Sequence, residues 1–420
     1  MTTAYRALND GTLPGVLSAL PDVRARLGGA PESWTVQEVG DGNLNLVFII
    51  KGPAGAVVAK QALPYVRLVG DSWPLPLDRS YYEHMALSEQ ARHAPGLVPK
   101  IHHFDRGLAL IVMEYLSPHI IMRKGLIRGT EYPLFAGHIA EFMAQTLFNT
   151  SALALPAAEH KQRIGAFAGN TELCKITEDL VFTDPYRIAK LNRWTTPYLD
   201  DIAAEFRRDE PLKIKVQERK LQFLTSAEAM IHGDLHTGSI MLTPQDTRII
   251  DPEFAFVGPM GFDIGAVIGN LLIAYYAQTG HEERIGSRNA YRHWILLQTE
   301  KVWRVFTKRF LELWDASRTG DAYMPELFTG PEGAAAFAAE KQRFMRKLLT
   351  DSISFAGIKM IRRILGLAHT EDLESIKDPP LRAKCERQAL TLARRLILDA
   401  ERFSGMNEVT HAARAVLGSR

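Results

Sequence analysis

The chain has 420 residues, 46% hydrophobic and 23% charged, with a formal net charge of +2. This composition excludes a disordered or fibrous chain and leaves room for two or three hydrophobic cores. Lys and Arg are dispersed and nearly balanced by Asp and Glu, so no nucleic-acid partner is expected, and the two cysteines, Cys174 and Cys385, form no disulfide framework or CxxC metal pair, which fits a reducing compartment.

The N-terminal stretch MTTAYRALNDGTLPGVL lacks the basic start and unbroken apolar run of an export signal, so a cytoplasmic location is expected. Residues 34–116 hold the β-like runs WTVQEVG, NLVFIIK, AVVAKQA and ALIVMEYL, parted by Gly and Pro turns, with one helical stretch over 79–92. Helical periodicity then dominates, over 134–155, 197–209, 211–229, 261–278, 287–316, 334–366 and 380–403, and only residues 231–251 interrupt it with strands. The most apolar run, IGAVIGNLLIAYYA at 264–277, contains Asn270 and is shorter than the roughly 20 residues a bilayer crossing needs, so it reads as a buried helix and no membrane association is expected. No repeat or low-complexity tract appears. The expected fold is α+β in two lobes, a small β-rich one over residues 1–115 and a large helical one over 116–420.

The chemistry concentrates in IHGDLHTGSIMLTPQDTRIIDPEF, residues 231–254. Asp234 lies in a Gly-containing turn between helix and strand, where a carboxylate can face a cleft. The apolar runs at 239–242 and 248–250, joined through Thr243-Pro-Gln-Asp246, form a hairpin that carries Asp251 back toward Asp234. Pro252 stiffens the link to Glu253, which adds another oxygen donor. Two hard carboxylates beside a third suit Mg²⁺ with substrate phosphates, and hence phosphoryl transfer. A single acidic turn residue is usually a solvated cap, but three in this order are not explained that way.

A kinase needs further parts upstream, and the small lobe has a candidate for each. Gly40-Asp-Gly-Asn-Leu-Asn45, with Gly42 at its centre, lies between two strand-like runs as a hairpin arching over phosphates; alone this motif is weak. Lys60 ends the strand VVAK, where a kinase keeps the lysine that pairs with phosphates and with a helix glutamate, and Glu83 in RSYYEHMAL is placed to be that glutamate. Met113, Glu114 and Tyr115 end the last strand where the texture changes, as a hinge offering backbone groups to adenine should.

These parts, in this order, resemble the 5-methylthioribose kinases, a family of small-molecule kinases with the two-lobed protein-kinase-like fold. The likeness rests on GDGNLN at 40–45, HGDLHTGSI at 232–240, DPEFAF at 251–256, GPMGFDIG at 258–265, VGDSWPL at 69–75 and IRRILGLAH at 361–369, and spans about residues 34–400. The resemblance implies ATP as phosphate donor, the anomeric hydroxyl of 5-methylthioribose as acceptor in methionine salvage, and a homodimer. It implies Asp234 as catalytic base, Asp251 and Glu253 as Mg²⁺ ligands, Lys60 and Asn45 on ATP, and Arg362, Arg363 and Trp73 at the substrate. Ser239 stands where protein kinases carry a metal-binding Asn, and Asp-Pro-Glu replaces their Asp-Phe-Gly; neither departs from the methylthioribose kinase pattern.

Two alternatives remain at this level. A kinase of the same fold acting on aminoglycosides, choline or homoserine would want carboxylates or an aromatic cage for a cationic acceptor, which adjacent arginines disfavour. A nucleotide-binding pseudokinase scaffold would be expected to have lost Lys60, Asp234 or Asp251, and all three are present. Residues 1–33 and 401–420 have no assigned role.

Overall fold

Alternating apolar residues build a five-stranded antiparallel sheet at the start of the chain. In the computed structural model, which describes residues 4–40, 44–66 and 70–418, β1 (Thr35–Glu38), β2 (Asn45–Lys51) and β3 (Ala56–Ala62) are followed by a β4–β5 hairpin (Tyr65–Val66, Gly70–Pro74). The helix Arg79–His93 comes next, then β6 (Ile101–Asp105) and β7 (Leu110–Glu114). The sheet order is β1-β2-β3-β7-β6, and β3 pairs with β7 so that Lys60 lies opposite Ile111. The two-residue period of β3 turns Val57, Ala59 and Gln61 to one face and Lys60 to the other. Of the glycine hairpin, Gly40 closes the β1 side and Asn45 opens β2, while Gly42 lies outside the described residues, as does Val69.

The face bearing Val57 and Ala59 is covered by the N-terminal residues. Leu8, Leu13, Leu17, Val23, Leu27 and Trp34 bury against Phe48, Ile50, Val57, Ala59, Leu110 and Val112. The buried Gln61 amide pins them, since its Oε1 accepts from the Leu8 N–H (2.8 Å) and its Nε2 donates to the carbonyls of Arg6 (2.9 Å) and Leu108 (2.8 Å). The described residues before 34 thus form the outer layer of the small lobe and free its other face for the cleft.

The rest is largely helical, as its periodicity predicts, with Phe135–Asn149, Glu210–Thr225, Met260–Ala277, Asn289–Ala316, Gly330–Leu365 and Pro379–Leu398 as main helices. The closing helix, Met406–Gly418, packs back on this core, where the Tyr276 hydroxyl donates to the Ala413 carbonyl (3.1 Å). Ala157–Phe167 and Thr171–Leu180 are further helices in a region whose polar composition gives no clear period. The strand insert is larger than the sequence indicates. After β8 (Ile120–Ile121) come β9 (Ala229–Ile231), β10 (Ile240–Leu242), β11 (Thr247–Ile249) and β12 (Phe256–Gly258); β10 and β11 make the expected hairpin, while β12 pairs with β9 beyond residue 251. The turn bearing Asp234 therefore follows a strand, not a helix.

The helix Met260–Ala277, continued by a 3-10 turn to His281, is longer than its apolar run suggests, and by length and composition alone it could cross a membrane. Every residue of Met260–Ala277 is buried inside the protein, which bears out the reading as a core helix. Its glycines explain how. Gly261, Gly265 and Gly269 lie at i, i+4 and i+8 on one stripe, and a Cβ on each would come within 2.8 Å of Asp351 Cβ, 2.7 Å of Phe355 Cβ and Ser352 O, and 2.7 Å of Ala356 O. Glycine in a helix interior costs about 1 kcal/mol relative to alanine. Here it lets the helix Gly330–Leu365 lie directly against its neighbour, which aims the far end of that long helix at Asp234.

Candidate active site

Two clusters of charge face the cleft. On the small-lobe side, Lys60 Nζ is 2.7 Å from Glu83 Oε1 and also pairs with Asp251 Oδ1. The Asn45 amide donates to Glu253 Oε2 (2.9 Å). Fully buried Arg79 donates to the carbonyls of Leu44 and Leu63 (both 2.6 Å) and to Asn45 Oδ1 (3.0 Å), with its Nε 3.5 Å from Glu253 Oε2. Asn45, expected to meet ATP, is thus engaged with Glu253 and Arg79, and a nucleotide contact from its amide would be exchanged for these. Asp251 has φ +70, a left-handed conformation uncommon for a non-glycine residue, and its side chain, though paired with Lys60, is about half exposed.

Carboxylate oxygens of Glu83, Asp251 and Glu253 all lie within 4.8 Å of one another. Burial pushes Glu83 up to about 8, with Asp251 and Glu253 adding to the rise against the pull of Lys60. Glu253 is raised by burial as well. Burial alone would lower the Lys60 ammonium, but Asp251, Glu83 and Glu253 outweigh it and hold it protonated. Three carboxyl groups beside Lys60 and Arg79 present a surplus of hard oxygen ligands, a set that fits a divalent cation such as Mg²⁺, whose charge would favour their ionised forms.

The second cluster surrounds Asp234. Its Oδ2 is 3.1 Å from His236 Nε2, and its Oδ1 is 3.3 Å from Lys359 Nζ and 3.7 Å from Arg363 Nη2. Burial alone would raise this carboxyl, but His236, Lys359 and Arg363 hold it well below the usual carboxylate range. Arg362 and Arg363 both donate through Nη1 to the Ala368 carbonyl, at 3.2 and 3.3 Å, which gathers two side chains that a straight helix would splay about 100° apart. Neither is an exposed salt-bridge partner: Arg363 is buried and Arg362 half-buried.

The loop between the clusters is rigidly seated. Asp263 accepts from the backbone N–H groups of His232 (2.6 Å) and Gly233 (3.0 Å). Gly233 has φ +82, and a Cβ there would sit 2.2 Å from the Phe254 carbonyl oxygen, so only glycine lets the two motif loops touch. His232 bridges them, its Nδ1 accepting from the Asp234 N–H (3.3 Å) and its Nε2 lying 3.0 Å from the Ile250 carbonyl. Asp234 and Asp251 are therefore braced through this ring, each facing its own charge cluster.

Other expected residues are placed less decisively. Met113 and Glu114 end β7, where both pair with β3 and the Glu114 N–H is bonded to the Lys100 carbonyl (2.8 Å). Lys51 Nζ lies 5.6 Å from the Tyr115 ring centre. Trp73 packs with Leu44, Leu75, Leu173 and Phe254, one residue past Glu253. Pro252 is buried between the two acidic residues. Sequence reasoning does not find Lys359, Arg79 or His236; the available signal for the first was a single lysine in the apolar run SISFAGIKMI, four residues before Arg363.

Residues 35–305 match the phosphotransferase enzyme family, well over half the chain, so the fold and cleft belong to a phosphotransferase, an enzyme of the small-molecule kinase class. The chain is 48% identical to methylthioribose kinase 1 of Oryza sativa subsp. japonica, over 96% of this chain and 94% of that protein. It is 46% identical to the methylthioribose kinase of Escherichia coli O45:K1, over 98% of each. The solved structure of a glucosamine kinase with glucosamine, ADP and phosphate has a TM-score of 0.47 and 13% identity, covering 92% of this chain and 83% of that one, a similarity too distant to carry residue roles across. By its full-length relatives, the chain belongs to the methylthioribose kinase family.

Proposed function

We propose that this enzyme transfers the γ-phosphate of ATP to the anomeric hydroxyl of 5-methylthioribose, giving the 1-phosphate as a step of methionine salvage. The observation that carries the reading is the pairing of Asp234 with cations on one side of the cleft, opposite a carboxylate-rich, lysine-anchored cluster on the other. Asp234 accepts the hydroxyl proton and orients the oxygen, whose lone pair forms the new bond to phosphorus as the bond to the ADP leaving oxygen breaks. Lys60, held by Glu83, steadies the phosphates; Gly40, Gly42 and Asn45 cover them, and Met113, Glu114 and Tyr115 receive the base. Asp251 and Glu253, with Pro252 fixing their spacing, would hold Mg²⁺, which supplies positive charge to the phosphate oxygens when bound. Arg362 and Arg363 donate to the sugar and the transferred group, and Trp73 closes the substrate side.

The same reading divides the lobes at 115/116 and makes the enzyme a cytoplasmic homodimer, which light scattering checks. The direct test measures ADP release by the purified protein with MgATP and 5-methylthioribose, other 5-substituted riboses, choline or kanamycin. Turnover with the ribose series supports the proposal; turnover confined to the cationic acceptors overturns it.

A further inference from the structure

Lys359 belongs to neither the nucleotide machinery nor the arginine pair, yet it is buried next to the carboxylate on which the proposed reaction turns. Its Nζ is 3.3 Å from Asp234 Oδ1, closer than the 3.7 Å of Arg363, and rests 4.1 Å from the Phe262 ring centre. An aromatic face holds an ammonium but accepts no strong hydrogen bond from it, so Asp234 is its one carboxylate partner within salt-bridge distance among the described residues. The other carboxylate oxygen meets His236, whose imidazole burial drives down to about 3, despite Asp234 pulling the other way. That ring is neutral at working pH. Its Nδ1 accepts from the Gly238 N–H (2.8 Å), which leaves Nε2 as the N–H that donates to Asp234. Among the described residues, the lysine and arginine within salt-bridge distance of Asp234 therefore both come from the long helix.

We propose that Lys359 is a positioning residue for phosphoryl transfer: its ammonium locks the Asp234 carboxylate, through Oδ1, in the orientation that receives the acceptor hydroxyl's proton. The inference rests on the role of Asp234 in the kinase reading above. It separates two duties within one helix turn, Lys359 serving the base and Arg362 with Arg363 serving the oxygens of sugar and phosphoryl group. Lys359 itself gains and loses no proton in the cycle; the hydroxyl proton passes to Asp234 and leaves with product release.

A buried ammonium in this company carries its own pH limit. Burial lowers Lys359 to about 8, with Asp234 opposing the fall and Arg362 and Arg363 adding to it. Besides these and His236, the buried Asp263 of the adjoining helix also interacts with its charge. As pH rises through about 8 the ammonium is lost, Oδ1 loses its nearer partner, and kcat should fall. Arginine keeps its charge throughout this range.

The test compares Lys359→Met and Lys359→Arg in steady-state kinetics from pH 6.5 to 10, a range of about two units around the transition. The Met variant should lose roughly 10- to 100-fold in kcat while its KM for MgATP stays within about threefold, and the Arg variant should keep much of kcat and extend the plateau to higher pH. A second reading needs no turnover: the side-chain ¹³Cε signal of Lys359 should titrate at a lower pH in Asp234→Asn, because the carboxylate that favours the ammonium is gone. An unchanged titration in Asp234→Asn, wild-type kcat in Lys359→Met, or an Arg variant whose alkaline limb coincides with wild type would overturn the assignment. If the wild type turns over none of the acceptors, the activity reading fails by itself while the titration still decides the Lys359–Asp234 pair.

Discussion

The two charge clusters of the cleft are built oppositely. On the small-lobe side three carboxylates, Glu83, Asp251 and Glu253, outnumber Lys60 and Arg79; around Asp234 one carboxylate is outnumbered by Lys359 and Arg363, with Arg362 beside them. The first has spare acceptors and suits a cation that brings phosphates with it. The second has spare donors, including Nε atoms of Arg362 and Arg363 that are buried without a hydrogen-bond partner among the described residues, and suits oxygens that gain negative charge. The difference teaches how charge balance can divide a cleft: on the proposed function, metal and nucleotide take the acidic side and the acceptor takes the basic side.

Mutations that hit one cluster and spare the other test this division. The largest effect is expected for Asp251→Ala, which should abolish both turnover and Mg²⁺-dependent ATP binding, because the carboxylate paired with Lys60 is also the exposed donor of the acidic set. Calorimetric binding of MgATP by this variant checks it; wild-type affinity would move the metal site elsewhere. Gly265→Leu should come next, with a loss of about 3 kcal/mol or more in urea unfolding, since it drives a side chain into Phe355 and the Ser352 carbonyl and pushes away the helix that carries the basic cluster.

Arg363→Ala should cost about 2–4 kcal/mol in kcat/KM for the sugar with ATP binding kept, more than Arg362→Ala, because Arg363 is the nearer to Asp234. Lysine should rescue it only in part, lacking the planar fork. Equal and unchanged constants in both alanine variants would remove the arginines from the acceptor side. The smallest effect belongs to a pair outside both clusters: breaking the exposed Lys175–Asp179 contact should shift stability by no more than about 0.5 kcal/mol and leave kinetics unchanged.

The acidic cluster is the more legible in sequence because its parts sit in short runs whose strand and turn patterns are local: VVAK presents Lys60, and DPE follows a hairpin that periodicity alone suggests. The basic cluster is assembled by tertiary packing. Arg362 and Arg363 stand out only through a family resemblance, and Lys359 has no motif of its own, since its position depends on a glycine stripe in a different helix. The same reason hides the outer layer of the small lobe, where helices such as Leu13–Ser18 and Pro21–Leu27 are too short to show a period and are defined by the apolar sheet face they cover. Asn45 and Arg79 show a further limit: the order of motifs brings Asn45 to the cleft, but only the fold reveals that both reach Glu253.

The division of the cleft is tested most directly by Asp234→Asn, a substitution that keeps shape and removes charge on the acceptor side alone. MgATP affinity and kcat measured on the same preparation should part company, with affinity near that of wild type and kcat lower by a factor on the order of 10² or more. Full activity in this variant, or a loss of MgATP binding as large as that of Asp251→Ala, would contradict the account.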